Sequence, residues 1–152
     1  MTRAVELDET DKAIIRQLQV DGRMPYAQLA PIVGLSEAAT RQRVNRLTER
    51  GVVSIVAVTD PLALGYGYQA MLGISIDNEV VKTAGKLGQI DELEYVVIAA
   101  GRYDVLAEVV CRDADHLLGV IDEKIRHVSG VRTVETLTYL RIMKQQYDWG
   151  TM

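Results

Sequence analysis

Cysteine occurs once in the 152 residues, at Cys111. A single thiol excludes an internal disulfide and any zinc site built from several cysteines, and it fits a reducing compartment. Cys111 lies between Val110 and Arg112 in a strand pattern and is expected in the core rather than as a nucleophile. Histidine occurs twice, and His116 and His127 stand eleven positions apart on one helical stretch. That is about three turns, too far to share a metal, so both are expected at the surface. No Ser/His/Asp set assembles from local signatures, so no catalytic residue is assigned and no enzyme, metal or other cofactor is expected. No stretch approaches ~18 apolar residues, and no membrane partner is expected. Residues 1–9 lack the apolar region of a signal peptide, so the expected location is the cytoplasm. Positive charge is not in excess either. The net charge is −4, which taken alone argues against nucleic acid.

What is present is an ordinary globular composition, 48% hydrophobic and 25% charged, with room for one domain or two small ones. The pattern changes near Asp60-Pro61, so residues 1–59 read as a helical domain, 60–65 as a linker and 66–152 as an α+β domain. Asp8 is expected to cap a first helix, with Asp11 in its first turn, Ile14, Ile15 and Leu18 as its apolar stripe and Asp21-Gly22 as its stop. A short second helix runs from Pro25 to Val33, with Leu29, Ile32 and Val33 facing inward. Gly34 then turns the chain, and Ser36 caps a third helix to Arg50, whose apolar face is Ala39, Val44 and Leu47. Val52–Val58 reads as a strand, one arm of a small wing or a lead into the linker.

The second half alternates strand Tyr66–Ile76, helix Glu79–Gln89 (Val80, Val81, Ala84 and Leu87 at helical spacing), strand Glu94–Ala100 and strand Tyr103–Arg112. A helix capped by Asp113 follows, with Leu117, Ile121, Ile125 and Val128 inward, then strand Val131–Met143. This order is a ferredoxin-like βαββαβ arrangement. Two helices cover one face of such a sheet, yet two of its strands are apolar on both faces. Strand two offers Tyr95 and Val97 against Val96 and Ile98. Strand four offers Val131, Leu137 and Tyr139 against Val134, Leu140 and Ile142. The second face is expected to meet an identical chain, the alternative being cover by the first lobe.

The short helix, glycine turn and capped third helix form a helix-turn-helix pattern, which needs a rigid helix with a solvent-facing side for the DNA major groove. Local charge overrides the average here. Residues 41–50 hold four arginines and one acid; residues 1–60 carry eight basic and eight acidic side chains, and residues 61–152 nine and thirteen. Arginine donates bidentately to guanine or anchors phosphate. Polar positions on this helix are Ser36, Glu37, Thr40, Arg41, Arg43 and Arg46, and the alternative for them is a plain solvated face.

Five segments then agree in order and spacing with one family: Leu7-Asp8-x-x-Asp11-Lys12, Asp21-Gly22-Arg23, Leu29-Ala30-x-x-Val33-Gly34-Leu35-Ser36, Arg43-Val44-x-Arg46-Leu47-x-x-x-Gly51-Val52-Val53 and Asp60-Pro61-x-x-Leu64-Gly65. They resemble the Lrp/AsnC (feast/famine) transcription regulators of bacteria and archaea, and Gly101-x-Tyr103-Asp104 and Gly130-Val131 match that family's regulatory half. The resemblance covers nearly the whole chain. It implies a sequence-specific regulator of double-stranded DNA, with an N-terminal (winged) helix-turn-helix domain and a C-terminal βαββαβ effector domain. It also implies homodimers that often assemble into octamers, and a small effector, commonly an amino acid. Residue by residue, Ser36, Glu37, Thr40, Arg41, Arg43 and Arg46 match the recognition-helix region, and Tyr26 opens the second helix near the phosphate backbone. The rival is a ferredoxin-like RNA-binding or small-molecule-binding module without operator specificity. RNA modules of this topology stack bases on sheet aromatics, and this chain has no phenylalanine and no matching aromatic run.

An amino-acid effector needs donors for its carboxylate and an anion for its ammonium. Gly101 leaves backbone N–H groups free to point at a carboxylate, Asp104 can accept from the ammonium, and Tyr103 offers a wall with a polar tip. Arg102 suits an acidic effector or only faces solvent. Thr136 and Thr138 are candidates for the far side of the pocket. The alternative is a tight strand connection in which Gly101 merely turns and Asp104 caps backbone N–H groups. Gly65–Ala70 fits a G-x-G-x-x-A dinucleotide pattern but opens a strand, the wrong context. Trp149 is expected to make a tail contact.

Overall fold

The computed structural model describes residues 5–145. It forms two compact units, one reaching Ala57 and the other spanning Val58–Lys144. Trp149 and the contact expected of it lie outside the described residues.

The first unit holds α1 (Glu9–Val20), α2 (Tyr26–Ile32) and α3 (Glu37–Glu49). Local capping sets the starts of α1 and α3. Asp8 Oδ1 accepts the Asp11 N–H at 2.7 Å, and Ser36 Oγ accepts the Ala39 N–H at 3.2 Å. The α2–α3 turn is closed onto the end of α2 by two hydrogen bonds. Leu35 N–H donates to Ala30 O at 3.0 Å and Gly34 N–H to Pro31 O at 3.4 Å, with Gly34 at φ +70°, a conformation that favours glycine. Ile14, Ile15, Leu18, Leu29, Val44 and Leu47 form the core. Ile32, expected inward, is exposed. Leu29 and Ala30 take the inward face, and Ile32 lies about 200° round the helix from Ala30. The wing also fails. Val52 and Val53 pack partly on the core, but 54–60 are exposed and form no ladder among the described residues. A β-branched run becomes a strand only against a partner edge, and the described residues of this unit offer none.

The second unit runs β1 (Tyr68–Ile76), α4 (Val80–Leu87), β2 (Leu93–Ile98), β3 (Val105–Cys111), α5 (Ala114–Gly119) and β4 (Val131–Thr138). The sheet is antiparallel with order β2-β3-β1-β4, the ferredoxin-like arrangement, so the fold is α+β. One face of the sheet is the core. Ala70, Leu72 and Ile74 of β1 and Val105, Ala107, Val109 and Cys111 of β3 are sealed beneath α4 and α5. Burial pushes the Cys111 thiol pKa up, which suits a core residue and not a nucleophile.

Four expectations change here. Val81 on α4 is exposed, and Thr83 is buried in its place, donating to Ser129 O at 3.3 Å. After Gly119 the fifth helix widens into a π turn over Val120–Ile125, with Arg126 N–H bonding Ile121 O five residues back at 3.0 Å. The wider turn shifts the buried stripe, so Val120 joins Leu117 and Ile125 while Ile121 and Val128 stay half-buried. Finally, β4 ends at Thr138, and a bulge opposite Ser75 and Ile76 puts Val131 and Val134 on one face instead of opposite faces. His116 is half-buried rather than at the surface. Its Nδ1 accepts the Arg112 N–H at 3.3 Å, and its Nε2 lies 3.5 Å from Glu92, which also holds Lys124 at 2.6 Å. The Lys124 hydrogen bond keeps the Glu92 carboxyl below its ordinary range.

Candidate nucleic-acid interface and effector loop

Thr40, Val44 and Leu47 form the buried side of α3. Thr40 was expected on the groove-facing side. It is fully buried, and its hydroxyl donates to Ser36 O at 3.0 Å, so it closes a turn of its own helix and cannot reach a base. Ala39, expected on the apolar face, is only half-buried, and Thr40 is buried instead. Ser36 is exposed, with its Oγ used as the cap of α3.

The arginines of α3 are held inside their own unit. Arg43 Nη1 reaches Asp8 Oδ2 at 2.6 Å and Asp11 Oδ1 at 2.8 Å; Arg46 Nη2 reaches Asp11 Oδ1 at 3.1 Å and Oδ2 at 3.2 Å. Asp11 is buried on α1, so two guanidiniums neutralise one buried carboxylate and tie α3 to α1. The Arg43 hydrogen bond, with the Asp11 backbone N–H, holds the Asp8 carboxyl below its ordinary range. Arg41 lies on the opposite flank. Its guanidinium meets Glu37 at 3.1 Å and stands 5.3 Å from the Tyr26 ring centroid. Tyr26, Glu37 and Arg41 thus share one corner, and Arg43 and Arg46 share another. Gln42 and Asn45 are among the exposed positions of α3 not singled out from sequence as site residues. A helical wheel centred on Val44 finds them, because both fall opposite the buried stripe.

The residues expected at an effector site divide by face. Tyr103 lies on the open face of the sheet, across β1 at Gly73, where a Cβ would stand 2.6 Å from its ring. Gly73 pairs with Glu135, and the Tyr103 hydroxyl donates to that carboxylate, which raises the phenol's pKa. Arg102 Nη2 also meets Glu135, at 3.0 Å, with its guanidinium 5.3 Å from the Tyr103 ring centroid. Arg102, Tyr103 and Glu135 therefore form one cluster beside the exposed Gly101. Glu135 is a member the sequence did not reveal; its alternation opposite Gly73 is visible only once β1 and β4 pair. Asp104 Oδ2 accepts the Ile76 N–H at 2.7 Å, at the bulge that ends β1, the capping role set against effector binding above. Thr136 and Thr138 pair with Leu72 and Ala70, so they belong to the helix-covered side and do not join Tyr103 and Glu135.

A helix-turn-helix unit followed by a βαββαβ unit defines a two-part regulator class. The model for the AsnC-type helix-turn-helix domain matches residues 7–48, and that for a C-terminal dimeric alpha+beta barrel domain matches residues 70–152. An HTH-type transcriptional regulator of Pyrococcus abyssi is 34% identical over 151 residues, covering 98% of this chain and 93% of its own. Among solved structures, E. coli AsnC superposes with a TM-score of 0.84 at 26% identity, over 94% of this chain and 98% of its own. A feast or famine regulatory protein of M. tuberculosis, complexed with L-methionine, gives 0.84 at 29% identity, over 92% and 96%. The chain belongs to the Lrp/AsnC family of transcription regulators.

Proposed function

We propose that this regulator binds operator DNA as a homodimer, laying α3 in the major groove, and that an amino-acid effector adjusts its affinity. One observation carries the DNA reading: α3 turns a polar, exposed side outward from a fully buried stripe, on a unit whose turn and caps are closed by hydrogen bonds. Tyr26 with Arg41, and Ser36 with Glu37, flank that side, while Arg43 and Arg46 hold it at its angle to α1. The effector reading draws support from the M. tuberculosis relative complexed with L-methionine. In this chain the Gly101–Asp104 connection with Glu135 is the region assigned to it, since a cation, an anion and an aromatic wall stand together there.

The test is footprinting of genomic DNA with the purified chain, followed by gel-shift titration of recovered fragments with each of the twenty amino acids. The expected result is retention that weakens steeply with salt, as counterion release requires, and a changed affinity with at least one amino acid. Failure to retain any duplex at low salt overturns the DNA reading. Retention left unchanged by all twenty amino acids overturns the effector reading.

A further inference from the structure

The arginine-rich look of α3 hides where its outward side chains point. With Thr40, Val44 and Leu47 buried, about 100° per residue puts Ala38, Gln42, Asn45 and Glu49 opposite the core. All four are exposed. The arginines flank this ridge, and three of them already meet a carboxylate: Arg41 on Glu37, Arg43 on Asp8 and Asp11, Arg46 on Asp11. The side chains of Gln42 and Asn45 have no hydrogen-bond partner among the described residues. The side chains aimed straight out, with donors and acceptors unspent, are therefore two amides.

Amides and guanidiniums ask for different bases. Gln and Asn pair bidentately with adenine N6 and N7, Arg with guanine O6 and N7, and a small apolar side chain sits against the thymine methyl. We infer that this chain reads adenine: Gln42 and Asn45 each take an adenine edge in the major groove, Ala38 meets a thymine methyl, and the arginines serve the phosphate backbone and the angle of α3. This rests on the DNA-binding reading above and specifies what that surface recognises. Three residues of helix advance about 4.5 Å, against about 3.4 Å per base pair, so the two adenines fall within two base pairs of each other. Glu49, at the far end of the ridge, repels phosphate and confines base contact to the earlier turns.

The experiment is selection of bound duplexes from a randomised pool by the full chain and by its Gln42→Ala, Asn45→Ala and Gln42→Lys variants, each checked for unchanged helicity and melting temperature. The wild-type chain should enrich half-sites with two adenine positions within two base pairs. Each alanine variant should lose one of them, with affinity for the selected site falling by about 5- to 150-fold while affinity for random duplex stays within about twofold. Gln42→Lys should turn its adenine position toward guanine. Alanine variants that select the wild-type sequence overturn the inference alone, as do guanine half-sites lost on Arg41→Ala or Arg46→Ala. If the wild-type chain enriches no sequence while retaining duplex, sequence readout by these amides is wrong. If it retains none, the DNA-binding reading falls as well.

Discussion

Tyr103 keeps its place because residue 73 has no side chain. The ring covers the Gly73 backbone on its way to Glu135, and a Cβ there would stand 2.6–2.7 Å from three ring atoms. The backbone at Gly73 is ordinary strand, so an alanine meets no conformational penalty of its own, only the ring. Gly73→Ala should lift Tyr103, break its bond to Glu135 and cost roughly 1–3 kcal/mol in urea denaturation. In a Tyr103→Ala background the same change should be close to neutral, because the clash is gone and alanine suits a strand better than glycine. Equal costs in both backgrounds would show that the ring is not what residue 73 accommodates. The coupling matters for the effector proposal, since Arg102 and Glu135 are held beside that ring.

Asp8 joins two elements with one carboxylate. Its Oδ1 caps α1 through the Asp11 N–H, and its Oδ2 holds Arg43 of α3. The cap was legible in the sequence because it spans three residues and depends on a local residue type, and the same holds for Ser36 and Asp113. The clamp was not legible. Its partners are 32–35 positions apart, and a row of arginines beside a distant acid reads from sequence as free positive charge. Periodicity failed for the same kind of reason at Thr40, whose hydroxyl is satisfied within its own helix and so tolerates the core, and at Val120, where the π turn breaks the 3.6-residue period. The element order of the second unit was legible because each helix is bounded by its own turn signals and each strand by an apolar run. The clamp has a pH signature. The folded pKa of Asp8 lies below its model-peptide value of 3.8, so its contribution is complete above that value and is lost as pH falls through the folded one. Asn caps nearly as well as Asp, so Asp8→Asn removes the charge pair and spares the cap. Protection of α1 and α3 amides from hydrogen exchange should be lower in the variant at pH 6, and the difference should shrink as pH falls below 4. A difference constant down to pH 2.5 would exclude the ion pair as its source.

At the scale of the molecule the open face of the sheet is what remains to be explained. Met71, Val97, Leu106 and Val110 are half-buried there, and Tyr95 and Leu137 are 53% and 46% exposed. Carboxylates on such a face would normally forbid its burial. Here they already have donors: Tyr103 bonds Glu135, and Tyr139 bonds Glu108 on the opposite side of β1. Burial and that bond push the Tyr139 phenol up to about 12. The face can be covered without orphaning a charge, which fits a domain family described as a dimeric alpha+beta barrel. Leu137, opposite Met71 on the edge strand β4, is a position on this face where a new charge would find no waiting donor. Leu137→Glu should give a monomer in sedimentation equilibrium, with the second unit still folded because residue 137 does not touch its core face. Operator affinity should fall by about a hundredfold, since two half-site contacts no longer share one body. Leu137→Met, similar in volume and apolar, should leave both properties near wild type. A dimer that persists in Leu137→Glu at wild-type strength would mean that the chains associate through some other surface, and that the self-paired carboxylates of this face serve the monomer alone.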